Sequence, residues 1–377
     1  MSEFKTFWMA GFECSDQLNV HGFRVDLLKM SGHLDHLQQD YANLSLLDIK
    51  TVREGIRWSQ VEKVPYHYDW TEVDHIIQYA KEADIQIIWD VCHFGYPDDL
   101  SPLHPQFGER FVSLCLNFLS RLREFYPADT LFIIPINEVG FISWLGGQVG
   151  ATTPYCRNIG WDVKYALMRT YIMAIKAMRS LDGNVRMICS EPLVNIISDC
   201  HDSCLQDPGS TQVLDMLFGE ICPELGGDDT VIDYLGFNYY FNNQWIAHNK
   251  QRLCWKERDE SAGWKSLADM CEALSMKYNK PFLITETSHP DTERPEWYDY
   301  IADECSRMKG KNLPIQGICI YPIVARPDWD FPDHWHQYGV WDIHDFNEKK
   351  RQLHEPTLEA ILNAQFVTKE FAFQNTY

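Results

Sequence analysis

The fold of this 377-residue chain is constrained most by eight short apolar or β-branched runs spread along its length. Runs of this kind predict buried β-strands. Helical patterns lie between them: Val73, Ile76, Ile77 and Ala80 repeat at i, i+3, i+4 and i+7, and segment 111–122 has the same period. The predicted strands are Phe7–Phe12, Val52–Ile56, Gln86–Val91, Leu131–Ile136, Arg186–Ser190, Ile232–Phe237, Pro281–Thr285 and Gly317–Tyr321.

Alternating buried strands and one-sided helices predict an α/β fold with a parallel sheet covered by helices. Eight repeats make a closed (β/α)8 TIM barrel the economical solution. An open doubly wound sheet is the alternative, but it more often carries a glycine-rich phosphate turn after its first strand, and none is present. No linker-like stretch and no long internal repeat occurs. We therefore expect residues 1–377 to form a single barrel domain with loop insertions at its C-terminal face.

The charge balance restricts the partners of the chain. A net charge of −21 argues against nucleic acid and anionic membranes, which are bound through basic patches. The N-terminal segment 1–8 lacks the features of a signal peptide, and no apolar run is long enough to span a bilayer. The sequence predicts a cytoplasmic protein without nucleic-acid or membrane partners, and it leaves the oligomeric state open.

The twelve cysteines are scattered through apolar segments, as is typical of small buried side chains in a reducing compartment. Cys200, His201 and Cys204 form the one cluster that suggests zinc, but no second ligand pair follows at a familiar spacing. We expect no metal and no cofactor.

Two glutamates, Glu138 and Glu286, lie just past the ends of predicted strands. In a barrel the carboxyl ends of the strands meet on one face, where catalytic groups collect. A pair of carboxyl groups is what hydrolysis of a glycosidic bond requires. Other polar or aromatic residues at the predicted strand ends are Glu13, Arg57, His93, Asn137, Asn238, Tyr240, Tyr321, Asp328 and Trp329.

Several of these segments together resemble the family 1 β-glycosidases, within the clan of (β/α)8 glycoside hydrolases. The resemblance extends over nearly the whole chain. Segment 232–240, Ile-Asp-Tyr-Leu-Gly-Phe-Asn-Tyr-Tyr, is similar to the strand-six signature of that family and is the most specific match. Segment 90–94, the pair Asn137-Glu138, the pair Thr285-Glu286 and segment 317–321 resemble its strands three, four, seven and eight.

The resemblance implies a retaining mechanism with no cofactor and a carbohydrate substrate. Glu286 would be the nucleophile and Glu138 the acid/base, with their carboxyl groups ~5 to 5.5 Å apart. Asn137 would bind the sugar 2-hydroxyl. Arg57 and Tyr240 would hold Glu286 ionised and oriented, although Arg57 could instead form a salt bridge at the barrel rim.

Further residues are assigned to the sugar site by the same resemblance. His93 would donate to a sugar hydroxyl, and Asn238 would border the sugar. Glu13 is added to the predicted site because of its position near the end of strand one. Two of these residues could instead have purely structural roles: His93 could be a core histidine, and Glu13 could be a loop residue.

Aromatic and acidic side chains beyond strand eight complete the predicted site. Asp328 and Trp329 fall where the family holds distal sugar hydroxyls. Tyr321, Trp329 and Trp144 would offer stacking surfaces to sugar rings.

The chain also departs from the family pattern in four places. Val139 follows the acid/base where the family has proline, and Thr287-Ser288 replaces Asn-Gly after the nucleophile. Tyr321 replaces a tryptophan, and Gln17 lies one place from the expected strand-one glutamine.

The sequence therefore predicts a retaining β-glycosidase of β-glucosidase-like type. Alternatives are an endo-acting glycanase of the same clan and a sugar-binding barrel without catalysis. A metal-dependent hydrolase is weaker, because His93, His201 and His289 show no recognisable ligand spacing.

Overall fold

Eight parallel strands form a closed barrel in the computed structural model, which describes residues 2–197 and 211–374. Each strand pairs with the next along the chain, and the last pairs with the first, where Trp8 lies opposite Ile318. All eight predicted strands are confirmed, with bounds shifted by at most two residues. They are β1 Trp8–Gly11, β2 Thr51–Gly55, β3 Gln86–Cys92, β4 Leu131–Ile136, β5 Val185–Pro192, β6 Tyr234–Asn238, β7 Phe282–Thr287 and β8 Ile315–Ile320.

Helices surround the barrel in a single domain, and the two helical patterns found in the sequence correspond to α4 and α5. The helices are α1 Leu27–Met30, α2 His33–Asn43, α3 Trp58–Val61, α4 Thr71–Glu82, α5 Phe107–Phe125, α6 Val139–Ser143, α7 Gly160–Leu181, α8 Gln212–Leu217, α9 Leu267–Tyr278, α10 Arg294–Gly310 and α11 Glu355–Gln374. Short 3-10 turns span Leu44–Leu47, Pro223–Leu225, Glu260–Ala262 and Asp291–Glu293, and a π-helical segment spans Trp144–Val149.

Within the described residues, three small two-stranded sheets lie outside the barrel, in the connections after β5, β6 and β8. They pair Asn195–Ile197 with Gln244–Ile246, Arg326–Pro327 with Trp335–His336, and Trp341–Ile343 with Arg351–Leu353. Among the described residues, no helix is both long and apolar enough to cross a bilayer.

The core has two layers, as the alternation of side chains along barrel strands requires. Side chains such as Ile88, Ile134, Ile188 and Leu283 fill the barrel interior. A larger apolar layer packs between the outer face of the strands and the helices. A polar residue on a strand must therefore find a partner either inside the barrel or beneath a helix.

Strand β2 shows both cases. Arg53 points into the barrel, and the adjacent Glu54 points outward beneath α2. There the His33 ring contacts Asp40 through Nδ1 at 2.8 Å and Glu54 through Nε2 at 3.0 Å. Burial alone would lower the pKa of His33, but the two carboxylates outweigh it and raise the pKa to about 9. The buried imidazolium thus ties α2 to the barrel wall.

We expect this network to make stability depend on pH. The folded pKa of His33 lies above the ordinary value near 6.5, so its contribution is complete below that value and is lost as pH rises through about 9. The free energy of unfolding in urea should fall by roughly 3 kcal/mol more in the wild type than in His33→Gln between pH 6 and 9.5. His36→Gln is the control, because that ring lies on the same helix and its hydrogen bond is to the Gly32 carbonyl, with no carboxylate partner among the described residues. Equal pH dependence in wild type and His33→Gln would contradict the prediction.

Candidate active site

The carboxylate of Glu286, within β7, is held from two sides. Its Oε1 accepts a hydrogen bond from Arg53 Nη1 at 2.7 Å, and its Oε2 accepts one from the Tyr240 hydroxyl at 2.7 Å. The side chain is buried, with 5% of its surface exposed. A cation and a hydroxyl donor therefore fix the position of this carboxylate and favour its charged form.

Arg53 connects three strand ends inside the barrel. Its Nε donates to Asp90 at 2.8 Å, and its Nη2 donates to the side-chain oxygen of Asn137 at 2.8 Å. Its Nη1 also donates to the Thr285 carbonyl at 3.1 Å. Each donor group of the guanidinium is thus used in a buried setting, where a planar cation with several donors is favoured over lysine.

The expectation that Arg57 orients Glu286 is wrong, because Arg53 makes that contact. Arg57 precedes helix α3, and its guanidinium pairs with Asp26 and Glu72. Arg57 therefore forms a salt bridge at the barrel rim, which was the alternative predicted for it. The strand is the reason: β2 ends at Gly55, so Arg57 has already left the barrel, whereas Arg53 is the inward-facing position within it.

Glu138 lies two residues beyond the end of β4 and has a left-handed backbone, with φ of 48°. Its N–H donates to the Ser190 carbonyl at 2.8 Å, and its Oε1 accepts from Asn238 Nδ2 at 2.8 Å. The orientation of the Asn238 amide is fixed because its oxygen accepts from the Ser190 and Thr285 hydroxyls at 3.0 and 2.7 Å. An amide donor, rather than a cation, therefore contacts Glu138.

The two carboxyl groups consequently differ in proton affinity. Burial raises the pKa of Glu138 well above its ordinary value, and the charge of Glu286 raises it further. Burial also raises the pKa of Glu286, but Arg53, His93 and Tyr240 act against that rise. Glu286 is therefore the first of the pair to ionise, and its charge keeps Glu138 protonated.

His93 and Glu13 lie together with this cluster. His93 contacts Asp90 through Nδ1 at 3.1 Å, and its Nε2 lies 3.2 Å from Asn137 Nδ2 and 3.6 Å from Glu13 Oε1. The other oxygen of Glu13 lies 3.4 Å from Arg326 Nε. The structure thus brings Glu13, His93, Asn137, Asn238, Tyr240 and Glu286 into one contact network, together with Glu138.

Tyr321 belongs to the same network, but not as an exposed stacking surface. Its ring is only 1% exposed. His93 stacks parallel to it at 5.9 Å between ring centroids, and the Arg53 guanidinium lies 4.9 Å from its centroid. Gly11 packs against the ring so closely that an added Cβ would lie 2.1 Å from it. The ring is enclosed by protein, so the expected stacking role is wrong.

Trp329 and Trp144 are more accessible. Trp329 lies 5.5 Å from Phe94 and 6.1 Å from Phe141 between centroids, and Phe141 lies 5.9 Å from Trp144. Trp144 is 51% exposed. The four rings form a continuous aromatic path from the residue after His93 to the surface.

Asp328 is adjacent to this path, but its carboxylate has local partners. It accepts the N–H groups of Asp330 and Phe331 at 2.8 and 3.0 Å and contacts His336 Nε2 at 2.9 Å. These contacts fix the loop that carries Trp329.

A metal site is not supported by the donors present. Among the described residues, only Cys14, Asp90 and His93 bring three possible ligand atoms within 4.8 Å of one another. Asp90 already accepts from Arg53, whose positive charge opposes a metal ion, and burial raises the pKa of the Cys14 thiol well above its usual range. The cluster of Cys200, His201 and Cys204 lies outside the described residues.

Sequence reasoning missed three polar residues at the site: Arg53, Arg326 and Glu191. A signal existed for Arg53, since an arginine in the middle of a buried strand must have buried partners. Arg326 lies in a two-residue strand outside the barrel, where no periodicity marks it. Glu191 is the penultimate residue of β5, a strand end to which no function was assigned.

We expect Arg53→Lys to lower kcat/KM by on the order of 10²-fold. A single ammonium group cannot donate to Asp90, Asn137 and Glu286 at the same time, as the guanidinium does. Arg57→Lys is the matched control and should change activity little, because its partners are Asp26 and Glu72. Steady-state kinetics of both variants, with thermal melts to establish folding, test this. Equal losses in the two variants would refute the assignment of Arg53.

No protein-family model matches this sequence, and no curated protein matches it. Solved structures do resemble the fold. The β-glucosidase from Thermotoga maritima in complex with castanospermine has a TM-score of 0.72 at 14% identity, covering 96% of this chain and 97% of that one. Its complexes with cyclophellitol and noeuromycin have TM-scores of 0.74 and 0.73 at 14% and 15% identity, each covering 96% of this chain and 98% of that one. At this identity the likeness shows the shared barrel fold.

Proposed function

We propose that this protein is a retaining β-glycosidase that cleaves a small β-glycoside by double displacement. The observation that carries the proposal is the unequal environment of the two carboxyl groups. Arg53 and Tyr240 donate to Glu286 at 2.7 Å each, whereas among the described residues the donor to the Glu138 carboxyl group is the Asn238 amide. A charged nucleophile beside a protonated acid is the arrangement that a retaining glycosidase needs.

The first step uses both groups at once. The Glu286 carboxylate attacks the anomeric carbon while Glu138 gives its proton to the departing glycosidic oxygen. A covalent glycosyl ester on Glu286 results, and the aglycone leaves as an alcohol. Asn137 lies beside His93 and Arg53, where its amide would bind the 2-hydroxyl as positive charge grows on the sugar.

The second step reverses these roles. Glu138, now a carboxylate, takes a proton from water, and the water oxygen attacks the anomeric carbon. The bond to Glu286 breaks, and the sugar leaves with its original anomeric configuration. Glu138 is again protonated and Glu286 again ionised.

A carbohydrate substrate is supported by an unpaired polar atom and by aromatic rings near this cluster. The Trp329 Nε1 atom is buried without a hydrogen-bond partner among the described residues, and the Trp329 ring lies 5.5 Å from that of Phe94, the residue after His93. Such a donor suits a sugar hydroxyl. The aromatic path from Trp329 to Trp144 suits the apolar faces of sugar rings or of an aryl aglycone.

The test is turnover of aryl β-glycosides carrying glucose, galactose, mannose, xylose or fucose, with the first product anomer followed by NMR. We expect release of the β-anomer from at least one sugar. First appearance of the α-anomer would contradict the retaining mechanism. Tight sugar binding without turnover would favour a sugar-binding barrel, and cleavage restricted to longer chains would favour an endo-acting enzyme.

A further inference from the structure

Glu191 stands immediately behind the proposed acid/base residue, on the outer side of the barrel. It lies at the end of β5 and is 7% exposed. Its Oε2 accepts the Gly140 N–H at 2.9 Å, and its Oε1 is buried without a hydrogen-bond partner among the described residues. A Cβ on Gly140 would lie 2.8 Å from the carboxylate, so glycine allows this close approach.

Two consecutive residues of β5 thus hold the backbone on both sides of Glu138. The Ser190 carbonyl accepts the Glu138 N–H at 2.8 Å, and the Glu191 carboxylate accepts the Gly140 N–H two residues later. Between these bonds Glu138 has φ of 48°, a left-handed conformation that is unfavourable for a residue with a side chain. These two bonds help to hold the conformation that directs Glu138 towards Asn238.

The start of helix α6 is arranged to receive a negative charge. Its first backbone N–H groups have no partners within the helix, and the side chain of Glu138 does not cap them. Burial raises the pKa of Glu191, and the backbone N–H groups of Gly140 and Val139 act against that rise.

We propose that Glu191 is a positioning residue for Glu138, fixing the backbone on which Glu138 stands and, through its negative charge, helping to keep the Glu138 carboxyl protonated. This inference rests on the proposed function only in naming Glu138 the acid. The contacts between Glu191, Gly140 and the backbone around Glu138 are independent of it.

Besides Glu138, the charged and titratable neighbours of Glu191 come from two elements, α7 and β5. Lys164 on α7 lowers its pKa, and Tyr171 on the same helix and Cys189 on β5 lie within its electrostatic influence. Burial is the largest effect and raises the pKa of Glu191 to about 7. Glu191 therefore gains its charge near neutral pH, and that charge raises the pKa of Glu138.

The test replaces the charge but keeps the hydrogen bond, with Glu191→Gln. We expect the titration midpoint of Glu138 to fall by on the order of one pH unit, measured by carbon-13 NMR of glutamate carboxyl groups and assigned by its loss in Glu138→Gln. The apparent pKa at which kcat/KM falls on the alkaline side of its pH profile should decrease by the same amount. Glu191→Ala, which also removes the acceptor for Gly140, should in addition lower kcat.

Glu304→Gln is the matched control. Glu304 is also a buried carboxyl group, 1% exposed, and it accepts the N–H of Ala268 at the start of α9 at 2.8 Å. Its replacement should cost stability without moving the Glu138 midpoint. An unchanged midpoint in Glu191→Gln, or an equal shift in Glu304→Gln, would overturn the proposal. If no glycoside is turned over, the proposed function fails while the NMR midpoint still decides the role of Glu191.

Discussion

Glu286→Gln is expected to lower kcat/KM on aryl β-glycosides by on the order of 10⁴-fold or more, because an amide cannot form the glycosyl ester. Glutamine has the shape of the native side chain and still offers an oxygen to Arg53. The loss should therefore appear in turnover, with little change in the melting temperature. Steady-state kinetics and thermal melts of purified wild type and variant measure the two effects.

Trapping of the covalent intermediate should identify the nucleophilic residue directly. A 2-deoxy-2-fluoro glycoside with an activated leaving group should accumulate on the wild type as a glycosyl ester, and peptide mass spectrometry should locate it at Glu286. Glu304→Gln should trap like the wild type, since Glu304 lies beneath helix α9. A label on another carboxylate, or full activity in Glu286→Gln, would disprove the assigned nucleophile.

The features that sequence reasoning predicted well depend on local pattern. The strand β4 is an unbroken apolar run, and its bounds agree with the prediction at both ends. The two glutamates could be identified because each stands where such a run stops. The barrel then brings Glu286 and the residues around Glu138 into one network, since parallel strands share a carboxyl edge.

The errors concern residues whose roles depend on side-chain direction or on a distant partner. Arg53 and Arg57 are both near the end of β2. Their roles differ because the strand ends at Gly55, which leaves Arg53 inside the barrel and Arg57 at its rim. Tyr321 is enclosed because Gly11, which lies near the other end of the sequence, leaves room for its ring. No spacing within the sequence reveals that contact.

Glu191 was missed for a related reason. It faces outward, so it does not belong to the inward-facing set from which site residues were chosen. Its partner Gly140 is brought to it by the pairing of β4 with β5. An outward carboxylate at a strand end becomes informative only when the neighbouring strand end is known to carry a catalytic group.

Glu138→Ala is expected to lower kcat/KM by about 10² to 10⁴-fold for glycosides with poor leaving groups, which need a proton from the enzyme. Activated aryl glycosides should lose much less in the first step. Added azide should restore turnover and give a β-glycosyl azide, because alanine leaves room beside Asn238 for the anion. Glu138→Gln is the control, since it fills the same space and should not be rescued. Product analysis by NMR and mass spectrometry measures both outcomes, and an α-azide or no rescue would contradict the assignment.

The pH dependence of the wild type follows from the same pair. Activity should fall as pH rises through the pKa of Glu138, which burial and the charge of Glu286 hold well above its ordinary value. Once Glu286 becomes an ester, that charge is gone, and the pKa of Glu138 must fall. The same residue is thereby an acid in the first step and a base in the second. The fall in activity at alkaline pH should therefore disappear in Glu138→Ala and persist in Glu304→Gln. If Glu138→Ala still shows that fall, the titrating group is not Glu138.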